Sequence, residues 1–266
     1  MIRRIEHDNG VVTYQSDLLR GIGVPHAFST RIGGVSSPPY DSLNLGYLTK
    51  ETAPDNNTDV AENFRRLRAA VGLQRRMRVQ VRQVHGPGVH IASPEPQRLR
   101  DAPAADAIVG DLPQTMLTIR TADCVPVLLS SRDGTVVAAI HAGWRGIVAG
   151  VIGTAIATMR ARFGVAAGEL LAAVGPCIGI SAFEVGEEVA DEFVRAGLAG
   201  AVRRETAAQP HIDLSAAVTA QLAGCGLSAG SIECCDRCTF RDADDFFSHR
   251  RDCGRTGRMA AVIAPL

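Results

Sequence analysis

Residues 121–144, TADCVPVLLSSRDGTVVAAIHAGW, predict a β-hairpin. Two apolar runs flank the Asp-Gly dipeptide at 133–134, which is a strong signal for a tight hairpin turn. A turn centred there places Pro126 opposite His141 in the antiparallel pair. Cys124 comes two residues before Pro126, so its side chain shares a strand face with that position. We therefore expect Cys124 and His141 to be diagonal neighbours, ~7–8 Å apart at their Cα atoms.

The register of this hairpin has one alternative. Proline has no backbone N–H and is usually confined to strand edges and bulges, yet Pro126 lies within the first predicted strand. A slip of one residue would send the side chains of Cys124 and His141 to opposite faces of the sheet. The pairing predicted here is the one that brings them to the same face.

A third candidate side chain, His85, ends the predicted strand RMRVQVRQVH (76–85). One thiolate and two imidazoles suit zinc, which binds them tetrahedrally and in catalytic sites leaves its fourth position to water. The same atoms allow another chemistry, in which Cys124 is a nucleophile, His141 is its base and Asp123 orients or tunes the pair. No CxxC or HExxH motif frames the trio. Both interpretations therefore remain open, as does a third, a buried cysteine beside two core histidines.

The pattern of apolar residues predicts an α+β fold and a single domain spanning residues 1–266, because strands and helices follow one another without a regular period. Apolar runs predict strands at 76–85, 115–122, 125–131, 135–142, 170–176 and 257–264. Helical spacing and terminal glycines predict helices at 146–164, 184–197 and 213–226. Segments rich in glycine and proline predict long loops at 31–46 and 85–106.

The composition excludes several classes of protein. Lysine plus arginine equals aspartate plus glutamate, at 28 each, so no net charge draws the chain to nucleic acid or to an anionic membrane. No apolar run approaches the ~20 residues of a membrane span, and the charged N-terminus lacks the apolar core of a signal peptide. We expect a monomeric cytoplasmic protein whose partners are small molecules.

The cysteines are expected to be free thiols. There are seven, an odd number, and a chain of this length needs no disulfide to stabilise its core. Cys235 and Cys238 form a single CxxC pair, which supplies too few ligands for a structural zinc ion. Cys225, Cys234 and Cys253 have no partner in any recognisable motif, so we expect them, like Cys235, to have no part in turnover.

Ten ordered motifs, spread along nearly the whole chain, resemble the YfiH family. Members of that family have been called laccase-domain proteins, purine nucleoside phosphorylases and peptidoglycan editing factors. The motifs are HAFSTRIGGVS (26–36), NLG (44–46), QVHG (83–86), ADAIVGD (105–111), TADCVPVLL (121–129), AAIHAGWRG (138–146), GPCIG (175–179), FEVGEEV (183–189), CT (238–239) and FFSHRRD…GRMA (246–260). The resemblance implies an α/β sandwich of mixed sheets flanked by helices, related to folds that use a Cys-His pair for hydrolysis.

The resemblance also implies a metal site. Its zinc ligands would be the histidine of QVHG, the cysteine of TADC and the histidine of HAGWRG, which here are His85, Cys124 and His141. These are the three residues selected above from strand ends alone. Copper is the alternative ion, from the older name of the family. Two positions depart from the family pattern: His249 stands where a tyrosine is expected, and Phe64 interrupts the usual ENRRRL.

Further candidate residues surround the trio. Arg145 follows His141 at the predicted start of a helix, and an arginine beside a helix N-terminus suits phosphate. Arg31 is the alternative phosphate residue. The candidate catalytic residues are Asp123, Cys124 and Arg145. The candidate substrate-binding residues are Arg31, Asn44, Gln83 and Arg145.

Three functions fit these observations. The resemblance implies a zinc-dependent phosphorylase acting on adenosine, inosine, guanosine and S-methyl-5'-thioadenosine, with adenosine deaminase activity beside it. A copper polyphenol oxidase is the second function, although seven histidines are few for the several coppers of a true laccase. A cysteine amidase that edits peptidoglycan precursors, with Cys124 as nucleophile, is the third.

Overall fold

The computed structural model describes residues 1–46, 55–95, 101–204 and 208–266. In chain order its strands are β1 (Ile2–Glu6), β2 (Val12–Ser16), β3 (His26–Ser29), β4 (Met77–Gln80), β5 (Val89–Ile91), β6 (Ala107–Gly110), β7 (Thr115–Thr121), β8 (Val125–Ser131), β9 (Val137–Ala142), β10 (Leu170–Val174), β11 (Val202–Arg203), β12 (His211–Ile212), β13 (Ile232–Cys234) and β14 (Met259–Ile263). Its helices are α1 (Asp17–Gly21), α2 (Asn57–Ala70), α3 (Trp144–Val148), α4 (Val151–Phe163), α5 (Glu187–Arg195) and α6 (Leu214–Gly224).

Two six-stranded mixed sheets contain most of these strands. The first has the order β1-β2-β3-β14-β7-β4 and is antiparallel except for the pair β4–β7. The second has the order β13-β10-β8-β9-β6-β5 and is parallel only at its two ends. Strands β11 and β12 form a separate short pair.

The two sheets pack face to face. Alternate residues of β7, such as Leu117 and Ile119, share one buried cluster with Leu128 of β8 and Ala139 of β9. The outer face of the first sheet packs against α2 and that of the second against α4 and α6. Burying such side chains contributes ~1.5–3 kcal/mol each to folding. The predicted α/β sandwich of mixed sheets flanked by helices is confirmed, and the assignment of residues 1–266 to one domain stays a prediction.

The hairpin of β8 and β9 has the predicted register. Pro126 pairs with His141, and the ladder runs from Val125 opposite Ala142 to Ser130 opposite Val137. The ladder stops there, so the connection around the Asp-Gly dipeptide is longer than a two-residue turn. Pro126 lies inside the sheet although it has no backbone N–H to donate. The carbonyl of Pro126 accepts a hydrogen bond from the backbone N–H of Gly175 at 2.8 Å.

Several predicted elements differ from the structure. The helix predicted at 146–164 is two helices, because Gly150 adopts a φ of +82° and separates α3 from α4. The strand predicted at 76–85 ends at Gln80, and β5 lies inside the loop predicted at 85–106. The predictions also omit α2. This segment is rich in charged residues, and only one side of the helix is buried, through Val60, Asn63, Phe64 and Leu67.

The structure bears on two expectations from the sequence, that the cysteines are free thiols and that no segment spans a membrane. All seven cysteines are free thiols. Cys238 is buried, and its Sγ accepts the backbone N–H of Gly179 at 3.1 Å, which fits a packing role. Among the described residues, none of the helices combines the length and the apolar character needed to cross a membrane.

Candidate metal centre

The side chains of His85, Cys124 and His141 converge at one end of the sandwich. One ligand atom from each, an imidazole nitrogen or the thiol Sγ, lies within 4.8 Å of the other two. The two imidazole rings meet edge to face, with centroids 4.9 Å apart. His141 is buried, Cys124 is partly exposed and His85 is exposed, so the cluster opens to solvent on the side of His85.

The three residues come from different parts of the two sheets. His85 follows β4 of the first sheet, Cys124 lies in the connection from β7 to β8, and His141 belongs to β9 of the second sheet. Two of the turns that present them use backbone conformations that non-glycine residues rarely adopt. The φ of His85 is +60°, and that of Asp123, just before Cys124, is +95°. Such strained conformations persist where the surrounding contacts hold them, often at functional sites.

Asp106 is a buried carboxylate that contacts two parts of the centre. It accepts backbone N–H groups from Val84, His85 and Gly86 at 3.1, 2.9 and 2.8 Å. Its Oδ1 also lies 2.8 Å from Nδ1 of His141. The sequence contains it in the motif ADAIVGD, but its role could not be predicted there because its partners lie elsewhere in the chain.

The trio and its surroundings fit a metal ion. A Cβ placed on Gly143 would lie 2.8 Å from Cδ2 of His85, 3.2 Å from Sγ of Cys124 and 3.7 Å from Cε1 of His141. Glycine at this position therefore leaves space against all three side chains. Two imidazoles and a thiolate are ligands of borderline-soft ions such as zinc, whose bonds of ~2.0–2.3 Å place tetrahedral ligand atoms ~3.4–3.6 Å apart. Binding of one ion would draw the three ligand atoms, which lie within 4.8 Å of one another, into that range.

In the absence of metal, Cys124 and His141 interact as an ion pair. Burial opposes ionisation of the thiol, but the charge of His141 and hydrogen bonds from both histidines lower the pKa of Cys124 to about 6. Burial likewise opposes the charged form of His141, but Cys124 and Asp106 raise its pKa to about 9. Between these two values the pair is a thiolate beside an imidazolium.

This ion pair gives a testable pH dependence. In metal-free protein, alkylation of Cys124 by iodoacetamide is expected to be half-maximal near pH 6, because the thiolate is the reactive form and its pKa is about 6. An ordinary thiol reaches that point near pH ~8.5. Mass spectrometry of the Cys124 peptide, labelled across this range with a chelator present, measures the profile. Zinc should suppress labelling, and a profile centred above pH ~8 would contradict the ion pair.

Asp123 joins the centre to the C-terminal part of the chain. Its carboxylate is buried and accepts the hydroxyl of Thr239 and the backbone N–H of Arg250, both at 2.7 Å. Its backbone carbonyl accepts the N–H of Ile178 at 2.9 Å. The isolated CT motif of the sequence therefore meets the centre through Thr239, and the FFSHRRD motif does so through the backbone of Arg250.

The two arginines predicted for phosphate lie in different surroundings. Arg145 is exposed, and its guanidinium carbon lies 4.3 Å from the centroid of the Trp144 ring. Arg31 donates to the carbonyl and carboxylate of Asp41 and to the carbonyl of Ala243, and it lies over the Phe247 ring. These contacts hold the 31–46 loop to the C-terminal region. The helix expected to begin near Gly146 begins at Trp144 and is only five residues long.

Asn44 and Gln83, the other predicted substrate-binding residues, are engaged with backbone groups. The amide of Gln83 accepts the N–H of Arg120 at 2.9 Å and donates to its carbonyl at 2.7 Å, as a neighbouring strand would. Oδ1 of Asn44 accepts the N–H groups of Gly46 and Arg258, and its Nδ2 donates to Asp55. Both side chains therefore position loops that border the centre.

Arg258 is a second residue near the centre that sequence reasoning missed. Burial lowers the pKa of its guanidinium, while the negative charges of Asp123 and Cys124 act in the opposite direction. Its Nη1 donates to the carbonyls of Thr256 and Gly257, both at 3.0 Å. The motif GRMA contains it, and it comes just before β14, which is inserted between β3 and β7 of the first sheet.

Comparison with known proteins places these features in one family. The model of a family described as multi-copper polyphenol oxidoreductase laccase matches residues 25–265. A Shigella flexneri protein named purine nucleoside phosphorylase YfiH is 43% identical over 244 residues, covering 91% of this chain and 93% of the relative. A Deinococcus radiodurans protein named purine nucleoside phosphorylase is 42% identical over 243 residues, covering 91% and 89%.

A solved structure supports the same assignment. The crystal structure of YlmD from Geobacillus stearothermophilus matches with a TM-score of 0.89 and 30% identity, covering 98% of each chain. The family match includes the whole of the His85, Cys124 and His141 trio and both sheets from β3 onward. The chain belongs to the YfiH family of laccase-like proteins.

Proposed function

We propose that this protein is a zinc-dependent purine nucleoside phosphorylase acting on adenosine, inosine, guanosine and S-methyl-5'-thioadenosine, with adenosine deaminase activity. The observation that carries the proposal is the convergence of His85, Cys124 and His141 in a chain 43% identical, over 91% of its length, to a relative named purine nucleoside phosphorylase. We place it in the cytoplasm, where free thiols stay reduced, as a monomer that binds neither nucleic acid nor membranes.

The reaction sets clear demands on the site. Phosphorolysis forms a bond from a phosphate oxygen to ribose C1′ as the bond from C1′ to the purine nitrogen breaks, and the departing purine takes up a proton. The site must hold phosphate beside the sugar and stabilise the charge that develops. His85, Cys124 and His141 would hold zinc, which supplies a Lewis acid at that place. Both carboxylate oxygens of Asp123 already accept hydrogen bonds, so we assign it a supporting role rather than proton transfer.

Guanidinium groups would bind the phosphate. Arg145 stacks on Trp144, which restricts the guanidinium while leaving the exposed donors at its edge free to form bidentate contacts. Arg258 is partly buried, and the negative charges of Asp123 and Cys124 act on its guanidinium. Arg31 has three donors committed to Asp41 and Ala243, so it is the weaker candidate.

The role of Arg145 predicts a selective loss. Arg145→Lys is expected to lower phosphorolysis about tenfold or more, because lysine cannot reproduce the bidentate fork and a charge-assisted hydrogen bond contributes ~1.5–3 kcal/mol. Deamination uses water, so it should fall much less. The measurement is the ratio of adenine plus hypoxanthine to inosine formed from adenosine. Arg162→Lys, an exposed position in the last turn of α4, is the control. A parallel loss of both activities would assign Arg145 to the structure of the turn.

The proposed function as a whole is tested by phosphate dependence. Zinc-loaded protein is incubated with adenosine with and without phosphate, and adenine, inosine and hypoxanthine are separated. Phosphate-dependent release of adenine supports phosphorolysis, and phosphate-independent formation of inosine supports deamination. The same assay is run on the other three nucleosides. If no free purine base and no deaminated nucleoside forms from any of the four, the proposal is wrong.

One observation favours a second function, a cysteine amidase acting on peptidoglycan precursors. Cys124, His141 and Asp106 form a chain in which a thiolate faces an imidazole whose other nitrogen is held by a carboxylate. This is the arrangement of nucleophile, base and orienting group. A metal ion on the same thiol would block it. If amidase activity rises when a chelator is added, the second function is favoured, whereas a loss of nucleoside chemistry under the same treatment favours the first.

Metal analysis distinguishes a copper polyphenol oxidase from the zinc-dependent phosphorylase and from the cysteine amidase. The family description contains that activity, and the trio could accept copper as well as zinc. Metal content measured by mass spectrometry of protein purified without added metal, together with phenol oxidation by copper-loaded protein, tests this alternative.

A further inference from the structure

Asp106 occupies a position that links the two histidines of the centre. It comes just before β6 and is fully buried. A buried carboxylate is costly unless hydrogen bonds replace its hydration, and the more of them it accepts the more firmly they fix its surroundings. The donors to this carboxylate are the backbone around His85 and the ring of His141, both parts of the proposed metal centre.

The loop that carries His85 is wrapped around this carboxylate. Three consecutive backbone N–H groups, those of Val84, His85 and Gly86, donate to its two oxygens at 2.8 to 3.1 Å. The middle residue has a φ of +60°, a conformation costly for a non-glycine residue unless its surroundings hold it. His85 is also exposed, so little packing holds its side chain. The carboxylate is therefore the main group that fixes the position from which this imidazole reaches Cys124.

The same carboxylate fixes the orientation of His141. Its Oδ1 accepts from Nδ1 of the ring at 2.8 Å, so Nδ1 carries the proton and Nε2 is left as the ligand atom. The backbone carbonyl of Asp106 accepts the N–H of His141 at 2.7 Å, which fixes the residue along the strand as well. One aspartate thus sets both the ring nitrogen and the strand position of the second histidine.

We propose that Asp106 is the positioning residue that assembles the metal centre, by holding the His85 loop and orienting His141. It does not touch the metal or substrate. Its removal should weaken zinc binding even where the fold persists, because two of the three ligands lose their fixed positions. Groups that orient metal-bound histidines typically account for 10–100-fold in metal affinity. The inference rests on the proposed metal centre, and its test reads metal binding rather than turnover.

The test compares Asp106→Asn and Asp106→Glu with the wild type. Zinc affinity is measured by competition with a chromophoric chelator, and coordination is followed by the absorption spectrum of the cobalt(II) form. Asp106→Asn is expected to raise the zinc Kd ~10–100-fold and to change the cobalt spectrum, because its amide N–H₂ would face the backbone donors. Asp106→Glu keeps the negative charge but displaces it by one methylene group. Its zinc Kd should lie between those of the wild type and Asp106→Asn. Asp213→Ala is the control. Asp213 is the N-cap of α6, away from the centre, and its side chain accepts the backbone N–H of Ala216.

The outcomes are distinguishable. If the wild type binds no zinc, the metal centre itself is refuted, and the proposed function with it. If the wild type binds zinc and Asp106→Asn binds it within about twofold of the wild type with an unchanged cobalt spectrum, the positioning role is wrong. Failure of both variants to fold with zinc present would also overturn it, since Asp106 would then serve the fold rather than the centre. Circular dichroism of the variants with zinc present detects such a loss of fold.

Discussion

Replacing Cys124 with serine is expected to abolish tight zinc binding and, with it, phosphorolysis. A serine hydroxyl stays protonated at neutral pH, so the replacement removes the negatively charged ligand while keeping the size of the side chain. Groups outside the ligands account for 10–100-fold in metal affinity, so the loss of a ligand should exceed ~100-fold. The two remaining histidines keep their hydrogen bonds to Asp106, through the backbone N–H of His85 and Nδ1 of His141.

The measurement is zinc affinity by chelator competition, combined with phosphorolysis of inosine in zinc-buffered solution. Cys225→Ser is the matched control, because that thiol is partly exposed beside α6 and away from the trio. Its zinc affinity and turnover should equal those of the wild type. Zinc affinity and phosphorolysis at wild-type levels in Cys124→Ser would show that Cys124 is not a zinc ligand that phosphorolysis needs, and the zinc dependence proposed through this trio would be wrong.

The second large effect is expected from Gly143→Ala. The backbone of Gly143 has a φ of −72°, which alanine adopts without strain, so the effect comes from the added methyl group alone. That methyl carbon would lie 2.8 Å from Cδ2 of His85, closer than non-bonded carbon atoms approach, and 3.2 Å from Sγ of Cys124, which is tighter than most contacts. His85 is the exposed partner and would move. We expect zinc affinity to fall about 10–100-fold, the range found when groups just outside the ligands are disturbed.

Gly153→Ala controls for this substitution. Gly153 lies within α4, and a methyl group there would be 3.9 Å from Sγ of Cys225, an ordinary contact. Alanine is favoured over glycine in a helix interior by ~0.5–1 kcal/mol, so this variant should be slightly more stable and bind zinc normally. Unchanged zinc affinity in Gly143→Ala would mean that the ion lies further from residue 143 than the trio indicates.

The parts of the fold that the sequence predicts are those with strong local signals. The register of β8 and β9 follows from an Asp-Gly dipeptide between two apolar runs, and that register brings Cys124 and His141 to one face. The strands β1 to β3 have no such signal. They are short and only partly alternate between buried and exposed positions, so they are recognised as strands only through their pairing with each other and with β14.

The parts of the site that the sequence does not predict depend on long-range contacts. Asp106 is one aspartate among many until the fold wraps the 84–86 loop around it. The charges of Asp123 and Cys124 act on Arg258, which comes just before the strand inserted in the middle of the first sheet. Conversely, Arg31 and Asn44 have the residue types expected of ligand-binding groups, and the structure commits their donors and acceptors to loops instead. Residue type alone therefore does not distinguish a residue that serves the centre from one that holds a loop in place.

The distribution of the three ligands over both sheets has a consequence for folding. His85 follows the first sheet, His141 belongs to the second and Cys124 lies between them, so neither sheet alone presents a complete set of ligands. An ion held by all three could therefore be captured only after the sheets have docked, which would make metal uptake a late step in folding. If zinc bound the native state alone, a thousandfold excess of free zinc over its Kd would stabilise that state by ~4 kcal/mol. The ion would then act as a reversible cross-link that slows separation of the sheets at this end, and loss of zinc would appear first as faster amide hydrogen exchange there.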